Sequence, residues 1–270
     1  MSLIDLHAHT KYSDGTTTPD EVMRVYIKAG VQMMAITDHD TIAAVRECRQ
    51  KAEQAGILFV HGVEVSTREH DYLHILGYGI DIEDKQFNDF LTQNRDNRFI
   101  RVRQIIKKLQ DYGIVITEED VFSAVKAAPS RAHVADALKR KGIVSSRHEG
   151  FQKYLIDGKP GYVPSLGPNA EQVISQIKKA GGKAFIAHPG VISAIWDFPR
   201  WVSAGLDGIE VYYPSHSLPM RQQLLMLAKK YNLLVSAGSD HHGEKSGRYN
   251  KPGMEVPQQV FDTLRENLCK

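Results

Sequence analysis

Seven short apolar runs recur along the chain, and at least six of them place histidine, aspartate or glutamate at or near their C-terminal end. Continuous apolar runs of this length are typical of parallel strands that are covered on both faces. Helical patterns lie between most of the runs, and this alternation predicts an α/β barrel or sheet. The predicted strands are residues 3–6, 33–36, 58–63, 73–76, 184–187, 208–211 and 233–237.

The helical patterns carry start and stop signals. Thr18 followed by Pro19 predicts a helix start, and Gly30 predicts its end. From about residue 84 to residue 164 no strand pattern is clear, and helical periodicity dominates. We therefore predict a barrel domain formed by residues 1–83 and 165–270, interrupted by a helical insertion domain over residues 84–164. The other predicted helices between the strands are 41–55, 168–180, 219–231 and 256–268.

Composition excludes several classes of protein. The net charge is +2, from 34 basic and 32 acidic residues, which is too balanced for a protein that coats nucleic acid. Two cysteines cannot form a disulfide framework and fit a reducing cytoplasm, where we expect the protein to act. No apolar run reaches the ~18 residues of a membrane span, so no membrane association is expected. Nothing in the sequence indicates an obligate protein partner.

The strand ends carry groups that bind metal ions. His7 and His9 are two residues apart, so in a strand they face the same side and can hold one cation. In a parallel barrel the C-terminal strand ends converge on one face. Imidazoles and carboxylates without thiolates suit Zn, Mn or Fe, and there are more candidates than one ion needs. Metal-competent residues also stand at Asp14, His39, Glu64, His74, His188, Asp240 and His242.

This inventory favours chemistry at phosphorus. Glu64 could join two cations through its two carboxylate oxygens, and paired ions clamp the in-line displacement at a phosphoryl group. The chain has no Gly-x-Ser-x-Gly elbow and no phosphate-binding Gly-x-x-x-x-Gly-Lys-Ser/Thr loop. Water activated by metal ions is therefore the expected nucleophile.

Six ordered segments resemble the PHP (polymerase and histidinol phosphatase) superfamily. They are DLHAHTKYSDG, ITDHD, GVEVS, HILGY, AHPG and GSDHH. The resemblance implies a distorted seven-stranded TIM-like (β/α)7 barrel that binds three divalent ions. It places His7, His9, Glu64 and Asp240 around one ion, and Asp14, His39 and His242 around a second. The third would be held by Glu64, His74 and His188, while Asp38 is either a residue that orients a ligand or a strand-end cap.

The segments PSRAHVADAL, KPGYVP and IEVYYPSHS resemble the stand-alone phosphoesterases of this superfamily. That subgroup includes nucleoside 3′,5′-bisphosphate phosphatases and a 5′-3′ exoribonuclease, and its insertion lies over the active site. The expected function is hydrolysis of a phosphate monoester of a small nucleotide, such as a nucleoside 3′,5′-bisphosphate, and trimming of short RNA from the 5′ end is a second candidate activity. The alternatives are a histidinol phosphate phosphatase, a metal-dependent amidohydrolase and a non-catalytic nucleic-acid-binding module. An amidohydrolase would use a modified strand lysine, and no lysine lies in the predicted strands.

Substrate contacts are predicted from basic residues beyond the ligands. Arg131 and His133 begin a helix in the insertion and could bind phosphate, although a solvated arginine and a capping histidine are the simpler readings. Lys159 lies in a Gly/Pro-rich loop and is a further candidate. His216 could bind phosphate or protonate the leaving oxygen, and it joins Asp240 and Glu64 as a predicted catalytic residue. The basic stretch Arg95, Arg98, Arg101 and Arg103 is interpreted as a solvated face or a phosphate-backbone track.

Overall fold

The computed structural model describes residues 1–247, 249 and 251–269, and within them eight strands form one sheet. The strands are β1 (Ser2–Asp5), β2 (Met33–Ile36), β3 (Leu58–Ser66), β4 (His74–Tyr78), β5 (Lys183–Ile186), β6 (Gly208–Tyr212), β7 (Leu234–Ala237) and β8 (Met254–Val256). Their order in the sheet is β7-β6-β5-β4-β3-β2-β1-β8. The segment just after β1 also pairs with the end of β7 and the residues that follow it. Leu6 N donates to Ala237 O over 2.9 Å, and His9 N donates to His241 O over 2.8 Å. The sheet is therefore a nearly closed barrel.

The predicted count of seven strands is wrong by one. β8 has only three residues, Met254–Val256, and pairs with β1 in the antiparallel sense. Such a short run gives almost no periodicity, and its last residue, Val256, is where the sequence predicts the start of a helix. The fifth strand also begins one residue earlier than predicted. Lys183 opens β5, although at the end of the strand opposite His188.

The predicted direction of β4 is wrong as well. β4 runs antiparallel to both β3 and β5, whereas the apolar runs predicted parallel pairing. The reversal brings the first residue of β4 to the end of the barrel where its neighbours finish. His74 accordingly lies opposite Ser66, the last residue of β3.

Ten α-helices cover the sheet and form the insertion in the described residues. The first begins at the predicted Thr18 cap, where Thr18 and Glu21 form a capping box and satisfy each other's backbone N–H groups, and it ends at Gly30 in the left-handed conformation. The helix predicted from residue 41 starts later, at Val45. The helices are α1 (Pro19–Ala29), α2 (Val45–Gln54), α3 (Lys85–Asp111), α4 (Glu118–Phe122), α5 (Arg131–Arg140), α6 (Arg147–Gly150), α7 (Ala170–Lys179), α8 (Phe198–Ser203), α9 (Leu218–Tyr231) and α10 (Gln258–Leu268).

The apolar core of the insertion is formed by the insertion itself. One buried cluster contains only residues between Val102 and Val163. The first turns of α3 belong elsewhere, because Phe87 and Leu91 pack in the cluster beneath β4, β5 and α7. The helix α3 thus joins the barrel to the insertion, and the division into two domains stays a prediction.

None of the helices in the described part of the chain combines the length and the apolar content that a bilayer crossing needs.

Candidate metal centre

Glu64 lies at the centre of a buried group of imidazoles at the C-terminal end of the barrel. Its Oε2 atom is 3.3 Å from His7 Nε2 and 3.2 Å from His9 Nε2. The same oxygen is 3.1 Å from His39 Nδ1. His7 and His9 therefore face the same side, as the alternation of side chains along a strand predicted, although both residues lie just beyond β1.

The other oxygen of Glu64 faces the opposite side. Its Oε1 atom is 2.8 Å from His74 Nδ1 and 3.0 Å from His188 Nε2. One carboxylate, only 1% exposed, thus divides five imidazoles between its two oxygens. This arrangement has the geometry that a bridging carboxylate needs.

Two further carboxylates complete the cluster. Asp240 Oδ1 lies 3.1 Å from His9 Nε2 and 3.3 Å from His242 Nδ1. Asp14 Oδ1 lies 3.2 Å from His242 Nε2 and 3.8 Å from His39 Nε2. The structure therefore brings together all nine residues for which a ligand role was predicted.

Three groups in the described residues have ligand atoms close enough to hold an ion. The group of His7, His9, Glu64 and Asp240 matches the first predicted set. The second contains Asp14, His39 and His242 as predicted, with His9 in addition. The third pairs Glu64 and His74 with His39, whereas His188 was predicted; His188 approaches the cluster through Glu64.

The donor set fits divalent cations. Among the described residues, His7 Nε2, His9 Nε2, His39 Nδ1 and Asp14 Oδ1 are buried and have no hydrogen-bond partner of acceptable geometry. Buried polar atoms are nearly always satisfied in folded proteins, so these atoms point to a bound group. Nitrogen and carboxylate oxygen donors without thiolate suit Zn, Mn or Fe.

The electrostatics of the site also suit cations. Burial alone would raise the pKa of Glu64, but the surrounding imidazoles, led by His39, hold the pKa well below its ordinary value. Burial dominates at His39 and His74 and lowers the pKa of each, which favours the neutral imidazole that binds metal. Burial opposes the shift at His9, yet Asp240 and Glu64 raise its pKa to about 9. The two carboxylates therefore favour a positive charge at this position.

Backbone strain marks the segments that carry the cluster. His188 and Asp240 have φ angles of 31° and 53°, and Asp40, directly after His39, has a φ angle of 52°. Non-glycine residues rarely adopt positive φ, and such strain collects at functional sites.

A layer of carboxylates behind the cluster orients it. Glu210 Oε1 is 3.0 Å from His7 Nδ1, while its Oε2 accepts the His188 N–H over 2.7 Å. Sequence reasoning missed this role, although a fully buried carboxylate inside an apolar run is the signal that could have found it. Asp38 accepts hydrogen bonds from Thr10 and Ser13, and in the described residues it belongs to none of the three groups. This placement matches the orienting alternative predicted for Asp38.

A cavity of about 570 Å³ opens above the cluster. Asp14, His39, Glu64, His74, His188 and Asp240 lie on the barrel side. The insertion contributes the opposite wall, which includes Arg98, Arg101, Arg131 and Arg147. A metal-binding face and a wall of four guanidinium groups thus enclose one space.

Of the four residues predicted singly as substrate contacts (Arg131, His133, Lys159 and His216), Arg131 alone belongs to the described lining of this cavity. Its Nη1 atom lies 2.7 Å from Asp71 Oδ2, and its guanidinium stacks on Tyr72 and Phe151. His133 instead completes the cap of α5 through Ser130, as the simpler reading predicted. Lys159 is exposed, and neither it nor His133 is among the described residues that line the cavity.

His216 is not placed for the predicted catalytic role. Its Nδ1 atom is 2.9 Å from Val211 O, and its Nε2 atom accepts the Gly190 N–H over 3.0 Å. Both ring nitrogens are therefore used by the backbone, and the ring lies outside the described cavity lining. The residue fastens two barrel loops together.

The interpretation of the basic stretch as a solvated face is wrong for two of its members. Arg98 and Arg101 have only 14% and 15% of their side chains exposed, and both line the cavity. Burial is the main cause that lowers the pKa of Arg101 to about 10. Arg103 does lie on the surface, where it pairs with Glu118.

A nearly closed α/β barrel with a buried His/Asp/Glu cluster defines a class of metal-dependent hydrolases. Comparison with known proteins identifies the family within this class. The model of the PHP domain matches residues 5–270, and the chain belongs to this family. The 5′-3′ exoribonuclease Rnm of Salmonella typhimurium is 37% identical over 250 residues, which cover 89% of this chain and 85% of that protein. The 3′,5′-nucleoside bisphosphate phosphatase of Chromobacterium violaceum is 36% identical over 258 residues, covering 92% and 90%.

Among solved structures, a protein from Bifidobacterium adolescentis described as a candidate metal-dependent phosphoesterase is similar throughout. The TM-score is 0.87 and the identity 30%, with 98% of this chain and 95% of the other covered. Family, relatives and fold agree, and the chain is a phosphoric ester hydrolase of the PHP family.

Proposed function

We propose that this enzyme hydrolyses a phosphate monoester of a small nucleotide that carries more than one phosphate, such as a nucleoside 3′,5′-bisphosphate. The observation that carries the proposal is the single cavity that joins the His/Asp/Glu cluster to a wall of arginines. Arginine binds phosphate through a planar fork, and the cluster suits the phosphate that is hydrolysed. A 36% identical relative carries the name of this activity.

The nine clustered residues would hold three divalent ions, with Mn, Zn or Fe as the candidates. Glu64 would join two of them, because its oxygens face different imidazoles. Such ions supply an activated water and neutralise phosphoryl oxygens. Tyr213 orients the Asp240 carboxylate towards the cluster, because its hydroxyl donates to Asp240 Oδ2 over 3.0 Å.

The wall opposite the cluster would orient the second phosphate and the base. Arg131 is the leading candidate, since Asp71 and two aromatic rings fix its guanidinium at the cavity. The cavity volume lies within the range of about 300–1,000 Å³ that is usual for small-molecule sites. A small nucleotide therefore suits the site better than a long polymer. We assign no proton transfer to His216, and Lys159 and His133 are not needed as contacts.

Trimming of short RNA from the 5′ end is a second candidate. A relative with 37% identity is named for a 5′-3′ exoribonuclease activity. A 5′-phosphorylated terminus offers the same arginines an anionic group.

The test uses the purified chain loaded with Mn²⁺ and measures products from four substrates. These are a nucleoside 3′,5′-bisphosphate, a nucleoside monophosphate, a short 5′-phosphorylated RNA and histidinol phosphate. We expect phosphate release from the bisphosphate, its loss on chelation and its return with Mn²⁺. Hydrolysis of histidinol phosphate alone, or of none of the four, would contradict the proposal.

Glu64→Gln is the matched variant for the metal cluster. It keeps the side-chain shape but loses the charge that faces five imidazoles, and we expect turnover to fall more than about 100-fold, beyond the effect of residues behind a metal site. Glu83→Gln is the control, since Glu83 is exposed, pairs with Arg46 and lies outside the described cavity lining. Equal turnover in the two variants would exclude Glu64 from the mechanism.

A further inference from the structure

Arg98 connects three segments that surround the candidate metal centre. Its Nε atom lies 2.5 Å from Asp40 Oδ2, and its Nη2 atom donates to Ser66 Oγ. Its Nη1 atom donates to Pro129 O over 3.3 Å. One side chain of α3 thus holds the loop after β2, the end of β3 and the entry to α5.

Two of these segments carry predicted ligands. Asp40 follows His39, and its own N–H donates to Glu64 O over 2.9 Å. Ser66 stands two residues after Glu64, and its N–H contacts Asp40 Oδ1 over 3.3 Å. The positions of His39 and Glu64 are therefore coupled to the place where Asp40 is held.

Asp40 occupies a conformation that needs outside support. Its φ angle of 52° is unfavourable for a residue with a Cβ atom, and its side chain is 1% exposed. The support comes from α3: Arg98 and Asn94 contact its carboxylate, and Arg95 Nη1 donates to its carbonyl oxygen over 3.0 Å. The insertion thus fixes a barrel loop from above.

We propose that Arg98 is a positioning residue, through which the insertion holds His39 and Glu64 in the arrangement that binds cations. The inference rests on the proposed metal centre. It assigns to α3 a role in metal binding, in addition to forming the cavity wall. The third contact, to Pro129, links the same guanidinium to the start of α5, which carries Arg131.

The test compares Arg98→Lys with Arg103→Lys on the same helix. Lysine keeps the charge opposite Asp40 but cannot reach three segments at once, because it lacks the planar fork. Arg103 is 52% exposed, pairs with Glu118 and lies outside the described cavity lining. The metal-free proteins are titrated with Mn²⁺ alone, and bound metal is counted by equilibrium dialysis.

We expect Arg98→Lys to weaken Mn²⁺ binding about 10–100-fold at the weakest site, the range for residues behind a metal site, while Arg103→Lys binds as the wild type does. At saturating Mn²⁺ most of the lost kcat should return. Wild-type Mn²⁺ affinity in Arg98→Lys would overturn the inference. If KM then rises, Arg98 is a direct substrate contact; if only the melting temperature falls, Arg98 has a structural role. A wild-type protein that binds no Mn²⁺ would overturn the proposed function as well.

Asp40→Asn/Arg98→Met keeps the test valid if the single variants fold poorly. It removes both charges together, so no buried carboxylate is left without its partner. We expect it to fold and still to bind Mn²⁺ more weakly than Arg103→Lys. Wild-type affinity in this double variant would also overturn the inference.

Discussion

The carboxylates of this site have two different roles: some face the imidazoles of the cluster, and others orient those imidazoles from behind. Glu64 and Asp240 face the imidazoles, whereas Glu210, Asp38 and Asp5 lie behind them. Asp5 accepts hydrogen bonds from Tyr26 and from both the backbone and the hydroxyl of Ser239. It thereby ties β1 to the segment that carries Asp240. Metal-binding imidazoles depend on such partners for their tautomer and orientation.

Glu210→Gln tests this division at the residue scale. Glu210 keeps the Nδ1 atom of His7 protonated, so that Nε2 is free for a cation. A glutamine keeps one acceptor oxygen but replaces the other with an NH₂ group. In the wild-type protein both oxygens of Glu210 are used, one by His7 Nδ1 and the other by the His188 N–H. We expect Mn²⁺ affinity to fall about 10–100-fold.

The matched control is Glu255→Gln, an exposed change on β8 that we expect to leave Mn²⁺ binding unaltered. Isothermal titration of the metal-free proteins measures both. Unchanged affinity in Glu210→Gln would show that His7 needs no partner behind it.

At the scale of elements, the helix starts of the insertion differ in what they support. Ser130 caps α5 and lines the cavity, while Thr117 caps α4 on the surface. Both side chains accept a hydrogen bond from a backbone N–H of the first turn. Loss of such a cap costs about 1 kcal/mol of stability.

We expect Ser130→Ala and Thr117→Ala to lower the unfolding free energy by similar amounts, about 1 kcal/mol each. Only Ser130→Ala should raise KM for the bisphosphate, because α5 presents Arg131 to the cavity. Urea unfolding and steady-state kinetics separate the two effects. A KM increase of the same size in both variants would mean that α5 has no special role.

The sequence allowed prediction of most elements and of the clustered residues, because both leave local signals. Strand-end histidines and the Thr18 cap can be seen within a few residues. The reversal of β4 could not be predicted, since a buried strand is apolar in either direction and pairing is decided by its neighbours. The engagement of His216 by Val211 and Gly190 was equally invisible, because Gly190 reaches the ring only in the folded chain.

For the whole molecule, the cluster couples stability to pH and to metal. In the metal-free protein the pKa of His9 is about 9, against an ordinary value of 6.5. This group stabilises the fold fully below pH 6.5, and the stabilisation is lost as the pH rises through 9. Burial lowers the pKa values of His39 and His74, so these two groups destabilise the fold only below about pH 6.5, where the unfolded state binds protons more readily. Between pH 6.5 and pH 9 the change of stability with pH is therefore set by groups whose pKa is raised, such as His9.

We therefore expect the melting temperature of the chelated protein to fall as the pH rises from 6.5 to 9. Mn²⁺ affinity should rise over the same range, because cation binding displaces the protons. Differential scanning fluorimetry and titration measure the two trends, and His9→Gln should flatten the first. A chelated protein whose stability rises towards pH 9 would refute this account.

The pairing of β1 has a consequence for biosynthesis. Within the described residues β1 is translated well before its partners, because β8 and the segment around His241 follow it by more than 230 residues. N-terminal segments begin to fold while synthesis continues, but this barrel cannot close until its last strands emerge. His7 and His9 must wait beside an open sheet edge for Asp240 and His242. The proposed ions would therefore be acquired only after these strands are in place, and a nascent chain that stalls earlier would present some of the ligands without a pocket to hold an ion.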